Sequence, residues 1–239
     1  MPLSGPGETS AAQPLPVSFP VPAVAPPTPR RARVPAAESD QGTPAGDRQL
    51  VFFGAETAEP SVADLAGLLT GPGEVHRMGG TARLSVVVGA AWRVHVLITE
   101  LAQRGVRATW TPTEDQRYAV RTAYTRVIVP LAAAWLRGPT QQPPPGFQLD
   151  GRRLRLWLAT AGVIDSPDTV VLHLGGLDPG RWAVVGAALV AAGLVGELVE
   201  PEAGGPAYRI AGRRGMRRLA ELVGEPPPAA PPGAWPTRD

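Results

Sequence analysis

The chain has 239 residues, of which 44% are hydrophobic, enough for one well-buried domain with tails. It contains no cysteine, which excludes disulfide scaffolds, thiolate nucleophiles and cysteine-based zinc sites. It shows neither a basic and apolar leader nor an apolar run of membrane-spanning length, so we expect a cytoplasmic protein without a membrane partner.

The charged residues have one unusual feature: all 23 basic residues are arginine, and the formal net charge is +2. Guanidinium binds phosphate through a bidentate fork, so the arginines favour a phosphate-binding surface. A GC-rich genome favours Arg, Ala, Gly and Pro codons together and explains the same composition without a function. Codon bias is the preferred explanation, and so small a net charge does not demand a nucleic-acid partner.

The first 53 residues precede the main domain. Residues 1–48 are rich in Pro and Ala and cannot bury a continuous apolar face, so we expect a disordered tail. The apolar run 49–53 is expected to pack onto the domain.

A first structural unit is predicted over residues 49–137. Ser61 suits a helix N-cap, and Gly71-Pro72-Gly73 stops that helix. The predicted elements are a helix at 62–69, strands at 74–78 and 81–88, a helix at 91–104, strands at 107–111 and 117–123, and a helix at 125–136.

The pattern then returns in a second unit, residues 152–224, after a Pro-rich linker at 138–151. Its predicted elements are a helix at 154–161, strands at 163–166 and 169–174, a helix at 181–192, strands at 196–200 and 207–211, and a helix at 215–223. Residues 225–239 are Pro-rich again and are expected to form a second disordered tail.

The two units repeat with a register of roughly 88 to 90 residues, which indicates an internal duplication. The matching pairs are Gly73 with Gly162, Trp92 with Trp182, Gly105 with Gly193, Arg121 with Arg209, and Leu131-Ala132 with Leu219-Ala220.

The stretch Leu65-Ala66-Gly67-Leu68-Leu69-Thr70-Gly71-Pro72-Gly73, followed by two α-β-β-α-β-β-α units, resembles a LAGLIDADG homing endonuclease. The resemblance covers about residues 62–224. It implies an α+β fold of two pseudo-symmetric units, each a four-stranded sheet with helices packed on one face, that together form a saddle over duplex DNA. It also implies that the two motif helices pack together through small residues, namely Ala63, Ala66 and Gly67 against Ala159 and Thr160.

The same resemblance locates the expected chemistry. In the family, an acid at the eighth motif position holds a divalent metal beside the scissile phosphate. Here those positions are Pro72 and Ala161, so we expect no enzyme activity, catalytic residue, metal site or cofactor. Glu74 and Asp165 follow the motifs and are interpreted as surface acids of hairpins. His76, His95 and His173 show no metal-ligand spacing.

Nucleic-acid contacts would lie on the sheet faces that the helices leave open. Strand alternation puts Leu84, Val86 and Val88 toward the helices and Arg83, Ser85 and Val87 on the open side. In the second unit the corresponding set is His173, Glu197 and Arg209. The candidate nucleic-acid-binding residues are Arg77 (if its register agrees), Arg83, Arg107, Arg121, Arg209, Arg213 and Arg214. An ordinary solvated sheet explains the same pattern.

The resulting hypothesis is a degenerate LAGLIDADG-like protein that binds nucleic acid or modulates transcription. Double-stranded DNA is the candidate nucleic-acid partner. An actinobacterial sporulation transcription regulator carries a non-catalytic domain of this kind, followed there by a helix-turn-helix domain that the residues after Gly224 are not expected to form. The alternative is a protein-protein interaction module with a Pro-rich tether. A residual nuclease is the third hypothesis, and a monomer is favoured.

Overall fold

A computed structural model describes residue 55 and residues 59–175, 179–200 and 205–238. The predictions for residues 1–48 and 49–53 lie outside these ranges. In the described part, six α-helices accompany two four-stranded antiparallel sheets and one two-stranded ribbon, which confirms the expected α+β fold class. None of these helices is long and apolar enough to cross a membrane.

The first sheet has the strand order β1-β2-β4-β3. Its unit consists of a 3₁₀ turn Val62–Leu65, α1 Ala66–Thr70, β1 Glu74–Met78, β2 Thr81–Val88, α2 Ala91–Gln103, β3 Ala108–Pro112, β4 Tyr118–Thr122 and α3 Val129–Trp135. The helix predicted from residue 125 begins only at Val129 because Pro130 occupies its first turn, where a missing N–H costs no helical hydrogen bond.

The second sheet has the corresponding strand order, β7-β8-β10-β9. Its unit consists of α4 Gly151–Ala161, β7 Gly162–Ser166, β8 Thr169–His173, α5 Pro179–Ala191, β9 Glu197–Val199, β10 Ala207–Ala211 and α6 Arg213–Val223. Helix α4 begins three residues before the predicted start because the Asp150 side chain accepts a hydrogen bond from the Arg153 amide at 2.9 Å and caps it.

The predicted linker contains regular structure. The strands β5 Leu136–Arg137 and β6 Thr140–Gln141 form the short ribbon. The Gln141 side chain accepts a hydrogen bond from the Val75 amide at 2.9 Å and donates one to the Gly73 carbonyl at 2.9 Å. The linker is thereby attached to the beginning of β1.

Ser61 begins the first motif helix, as the sequence predicts. Its amide donates to the Asp64 carboxylate at 2.8 Å, and its hydroxyl contacts the other carboxylate oxygen at 3.1 Å. Asp64 is also an ion-pair partner of Arg104, at 2.9 Å, and both side chains are almost fully buried. The helix start is therefore connected to the end of α2.

Each unit has its own hydrophobic core, and each core includes a residue from the other unit. Leu156 of α4 packs in the first core, and Val96 of α2 packs in the second. Burial in β2 alternates residue by residue, so the helices cover one face of the first sheet, here called the inner face, and leave the outer face open.

The C-terminal segment differs from the expected disordered tail. Trp235 is 4% exposed and belongs to the second core, and its indole N–H donates to the Gly224 carbonyl at 3.1 Å. The Arg155 guanidinium lies 5.1 Å from the centre of the indole ring. The Pro-rich segment is thus held against the domain by a buried aromatic side chain.

Candidate nucleic-acid interface

The two motif helices, the 3₁₀ turn with α1 and the helix α4, pack side by side, as expected. The closest approach is at Gly67, where an added Cβ would lie 2.0 Å from the Arg153 carbonyl oxygen. A second close approach is at Gly71, which faces the Trp157 ring and Ala161. Gly67 therefore opposes Arg153, and not Ala159 and Thr160 as predicted.

The C-terminal ends of the motif helices are capped by arginines from the opposite unit. Arg93 of α2 donates to the carbonyls of Leu158 and Ala159 at 3.1 and 2.8 Å, and also to that of Gly162. Arg181 of α5 donates to the carbonyl of Gly71 at 3.4 Å and to that of Leu69. Each unit thus caps the motif helix of the other.

A cation is favourable at these positions because the last carbonyls of a helix carry partial negative charge. Burial lowers the pKa of Arg93 to about 10, which leaves the guanidinium protonated at neutral pH. Arg181 is 6% exposed. The ends of both motif helices therefore carry a fixed positive charge inside the protein.

These ends do not fit a divalent metal ion. Pro72 and Ala161 offer no side-chain oxygen, and the two guanidinium groups would repel a second cation. Glu74 lies on β1 with its carboxylate 3.3 Å from His76, and Asp165 is exposed on β7. Among the described residues, no three histidine, aspartate or glutamate side chains are grouped as metal ligands.

The outer face of the first sheet carries three of the candidate arginines. Arg121 lies between Ser85 of β2 and Thr109 of β3, so these side chains share a face. Arg107 continues that face, since the Ala123 amide bonds its carbonyl. Arg83 lies opposite His76. The predicted outward positions of Arg83, Arg107 and Arg121 thus agree with the strand register.

The environments of these three arginines suit contact with an external anion. Arg107 and Arg121 are exposed, and the Arg83 guanidinium lies 5.0 Å from the centre of the Tyr124 ring. In the described ranges no carboxylate is within ion-pair distance of the three. Glu74, on the same face, is the nearest acid by register, opposite Ser85.

Arg77 does not join this face. It pairs with Ala82, which is completely buried on the inner face, so Arg77 also points to the inner side of the sheet. Its side chain remains exposed because β1 is the edge strand. Arg77 was a candidate only if its register placed it on the open face, and the register places it on the inner face instead.

The outer face of the second sheet combines apolar residues with opposite charges. Arg209 pairs with Val171 on one side and with Glu197 on the other, so its charge is opposed by an acid. Val163, which also pairs with Val171, is 47% exposed. Arg213 and Arg214 lie elsewhere, at the beginning of α6, most of whose buried residues belong to the second core.

Sequence reasoning missed Arg93 and Arg181. A signal was available, because the spacing between these two arginines equals the spacing between Arg121 and Arg209 in the proposed repeat. The signal is weak because the chain has 23 arginines, so a match between two of them in the repeat is not distinctive.

No protein-family model matches the chain. No curated protein matches it in sequence. In three dimensions, the two sheets and the paired motif helices have a LAGLIDADG-like fold, as the resemblance implied.

Three solved structures illustrate the likeness. The homing endonuclease I-WcaI bound to its DNA recognition sequence matches with a TM-score of 0.53 and 11% identity over 76% of this chain and 89% of that chain. Full-length DUF199/WhiA from Thermatoga maritima matches with a TM-score of 0.52 and 12% identity, over 78% of this chain and 59% of that chain. The N-terminal LAGLIDADG domain of DUF199/WhiA matches with a TM-score of 0.50 and 12% identity over 78% and 95%. Such identities show a shared fold alone.

Proposed function

We propose that this protein is a non-catalytic member of the LAGLIDADG-like fold that binds duplex DNA through the outer face of its first sheet and so modulates transcription. The observation that carries the non-catalytic part of the proposal is the pair of guanidinium groups at the ends of the motif helices, that of Arg93, which is half-buried, and that of Arg181, which is buried. With Pro72 and Ala161 beside them, metal-assisted hydrolysis has neither carboxylate ligands nor a vacancy for a cation.

The proposed DNA contact rests on Arg83, Arg107 and Arg121. Guanidinium groups that have no carboxylate partner are available to phosphate oxygens, and phosphate contacts supply most of the sequence-independent affinity for DNA. The likeness to I-WcaI, a homing endonuclease bound to its DNA recognition sequence, supports DNA as the ligand. A transcriptional role is in keeping with the likeness to DUF199/WhiA.

The test is fluorescence anisotropy with a labelled duplex of about 30 base pairs over a range of salt concentrations. Changing Arg83, Arg107 and Arg121 together to Ala should abolish binding at moderate salt. If each arginine contacts one phosphate, the slope of log K against log salt should fall by about 2.7. Arg77→Ala is a matched control, because Arg77 is exposed on the same sheet but on its inner side.

Two results would overturn this proposal. One is no binding of the wild-type protein even at low salt; the other is an equal loss of affinity in the Arg77 control. The loss of catalysis is tested separately with plasmid DNA and Mg²⁺ or Mn²⁺. Cleavage that Glu74→Gln or Asp165→Asn removes would identify relocated metal ligands and refute that part.

A protein-interaction module is the second candidate, and the surface of the second unit favours it. Val184 and Val190 on α5, Val195 after it and Leu198 on β9 are between 39% and 81% exposed. Exposed apolar side chains are the kind of surface that a protein partner covers. Capture of a defined partner that survives nuclease treatment and is lost in Val190→Asp would favour this function over DNA binding.

A further inference from the structure

A groove in the second unit lies between the beginning of α6 and the turn that follows α5. Its volume is about 570 Å³. Gly193, Val195 and Ala211 form its neutral wall, and Arg214, Arg217 and Arg218 project along it from α6. We call it the α6 groove. It is separate from the outer face of the first sheet, since its arginines belong to the other unit.

The α6 groove has more positive charge than its surroundings neutralise. Arg213, Arg214, Arg217 and Arg218 fall within six consecutive residues. Glu221 is the acid that lines the groove, and it is shared between Arg217 at 3.5 Å and Arg218 at 3.6 Å. In the described part of the chain no ion pair involves Arg213 or Arg214. A single carboxylate thus pairs with two of the four guanidinium groups, and the other two are without an acidic partner in the described part of the chain.

Helix stability does not account for this arrangement. Cations near the first turn of a helix oppose its dipole, and each typically costs a few tenths of a kcal/mol to about 1 kcal/mol. The residue before α6 is Gly212, and no side chain caps the helix start. The start of α6 therefore has no acidic or capping side chain that would offset the arginines. An anion from outside the chain would reduce the unfavourable interaction between these arginines and the helix dipole.

Arg218 lines the α6 groove and has a guanidinium nitrogen without a hydrogen-bond acceptor. Its side chain is 14% exposed, and its Nε donates to the Ala192 carbonyl at 3.3 Å. The buried Nη1 has no hydrogen-bond acceptor among the described residues, although Glu221 lies near it. Burying a guanidinium N–H without an acceptor is costly, and a phosphate oxygen in the groove would supply one.

We propose that the α6 groove is a phosphate-binding site formed by Arg214, Arg217 and Arg218. The shared chemistry is a phosphate group held by guanidinium forks, whether the group belongs to a small phosphate compound or to a nucleic-acid backbone. The site does not depend on DNA binding by the first sheet, and the two proposals are tested separately.

The test uses pyrophosphate as the probe and the full chain, with NMR detection of the arginine Nε–H signals at low ionic strength. The signals of Arg214, Arg217 and Arg218 should shift and saturate. Arg214→Ala combined with Arg217→Ala should weaken binding at least about tenfold, which is 1.4 kcal/mol. Glu221→Gln should strengthen binding, because it removes the competing carboxylate. Arg77→Ala is the control and should have no effect, because Arg77 lies in the first unit and off its outer face.

The absence of saturable shifts up to about 10 mM pyrophosphate would overturn the proposal, as would equal binding by the double variant. The double variant Arg214→Gln with Arg217→Gln is a second test, because it removes the charges but keeps polar side chains. An unchanged melting temperature shows that a loss of binding in this variant is not due to misfolding. A parallel titration with duplex DNA distinguishes the sources. If the double variant loses affinity for both probes, the phosphate is that of a nucleic acid; if for pyrophosphate alone, it is that of a small compound. Either result supports the site.

Discussion

The reciprocal capping of the motif helices makes a quantitative prediction for Arg93. In Arg93→Met the apolar stem is kept, but three carbonyls, of Leu158, Ala159 and Gly162, lose a charged donor. A hydrogen bond to a charged group contributes about 1.5–3 kcal/mol. Three bonds at the low end of this range give about 4.5 kcal/mol. Because Arg93 is half-buried and water can replace part of the loss, we expect destabilisation by about 3–4 kcal/mol.

Urea denaturation followed by tryptophan fluorescence measures this change. For a domain of this size the corresponding fall in melting temperature is about 6–16 °C. Arg93→Lys should recover only part of the loss, since an ammonium group keeps the charge but cannot span three carbonyls as a planar fork does.

The matched control is Arg121→Ala, an exposed arginine without a carboxylate partner, which should change stability by less than about 0.5 kcal/mol. If Arg93→Met were as stable as this control, the carbonyls would be satisfied without the guanidinium. The structural account of the motif-helix ends would then be refuted.

Three further predictions concern stability and use the same assay. Gly67→Ala should destabilise by about 3 kcal/mol or more, since its Cβ would overlap the Arg153 carbonyl; a neutral effect would mean that the motif helices can separate. Trp235→Ala should cost about 3 kcal/mol from lost burial, and no cost would mean that the C-terminal segment does not pack in solution. Glu100→Gln should cost about 3 kcal/mol, because Arg104, bonded at 2.7 Å, is buried and would lose one of its two acidic partners; unchanged stability would show that the other suffices.

Much of the first sheet follows from local sequence. Alternating burial in β2 is a direct consequence of its alternating apolar residues, which is why the outward positions of Arg83 and Ser85 were predicted correctly. The position of Arg77 was also within reach. A two-residue Gly79-Gly80 turn places Met78 opposite Thr81, which puts Arg77 opposite Ala82 and on the inner face.

Other features depend on contacts between distant parts of the chain and have no local signal. Pro-rich composition predicts disorder for residues 225–239, but whether Trp235 is buried depends on a cleft formed by α6 and α4. The role of Arg181 likewise requires knowing that α5 begins beside the end of α1. Sequence periodicity describes faces of elements, not which element ends meet.

The arginines also show why composition alone was a poor guide to function. Codon bias can supply many arginines, but it does not select their surroundings. Arg104 lies in a buried ion pair, Arg93 and Arg181 cap helix ends, and Arg121 faces solvent without a carboxylate partner. The two caps bear most directly on function, because each comes from the opposite unit. On the proposed function, an aspartate introduced at Pro72 would form an ion pair with the nearby guanidinium of Arg181 in preference to binding a metal ion. Recovering a metal site would therefore require changes in both units at once, which is why a fold shared with nucleases does not by itself imply cleavage here.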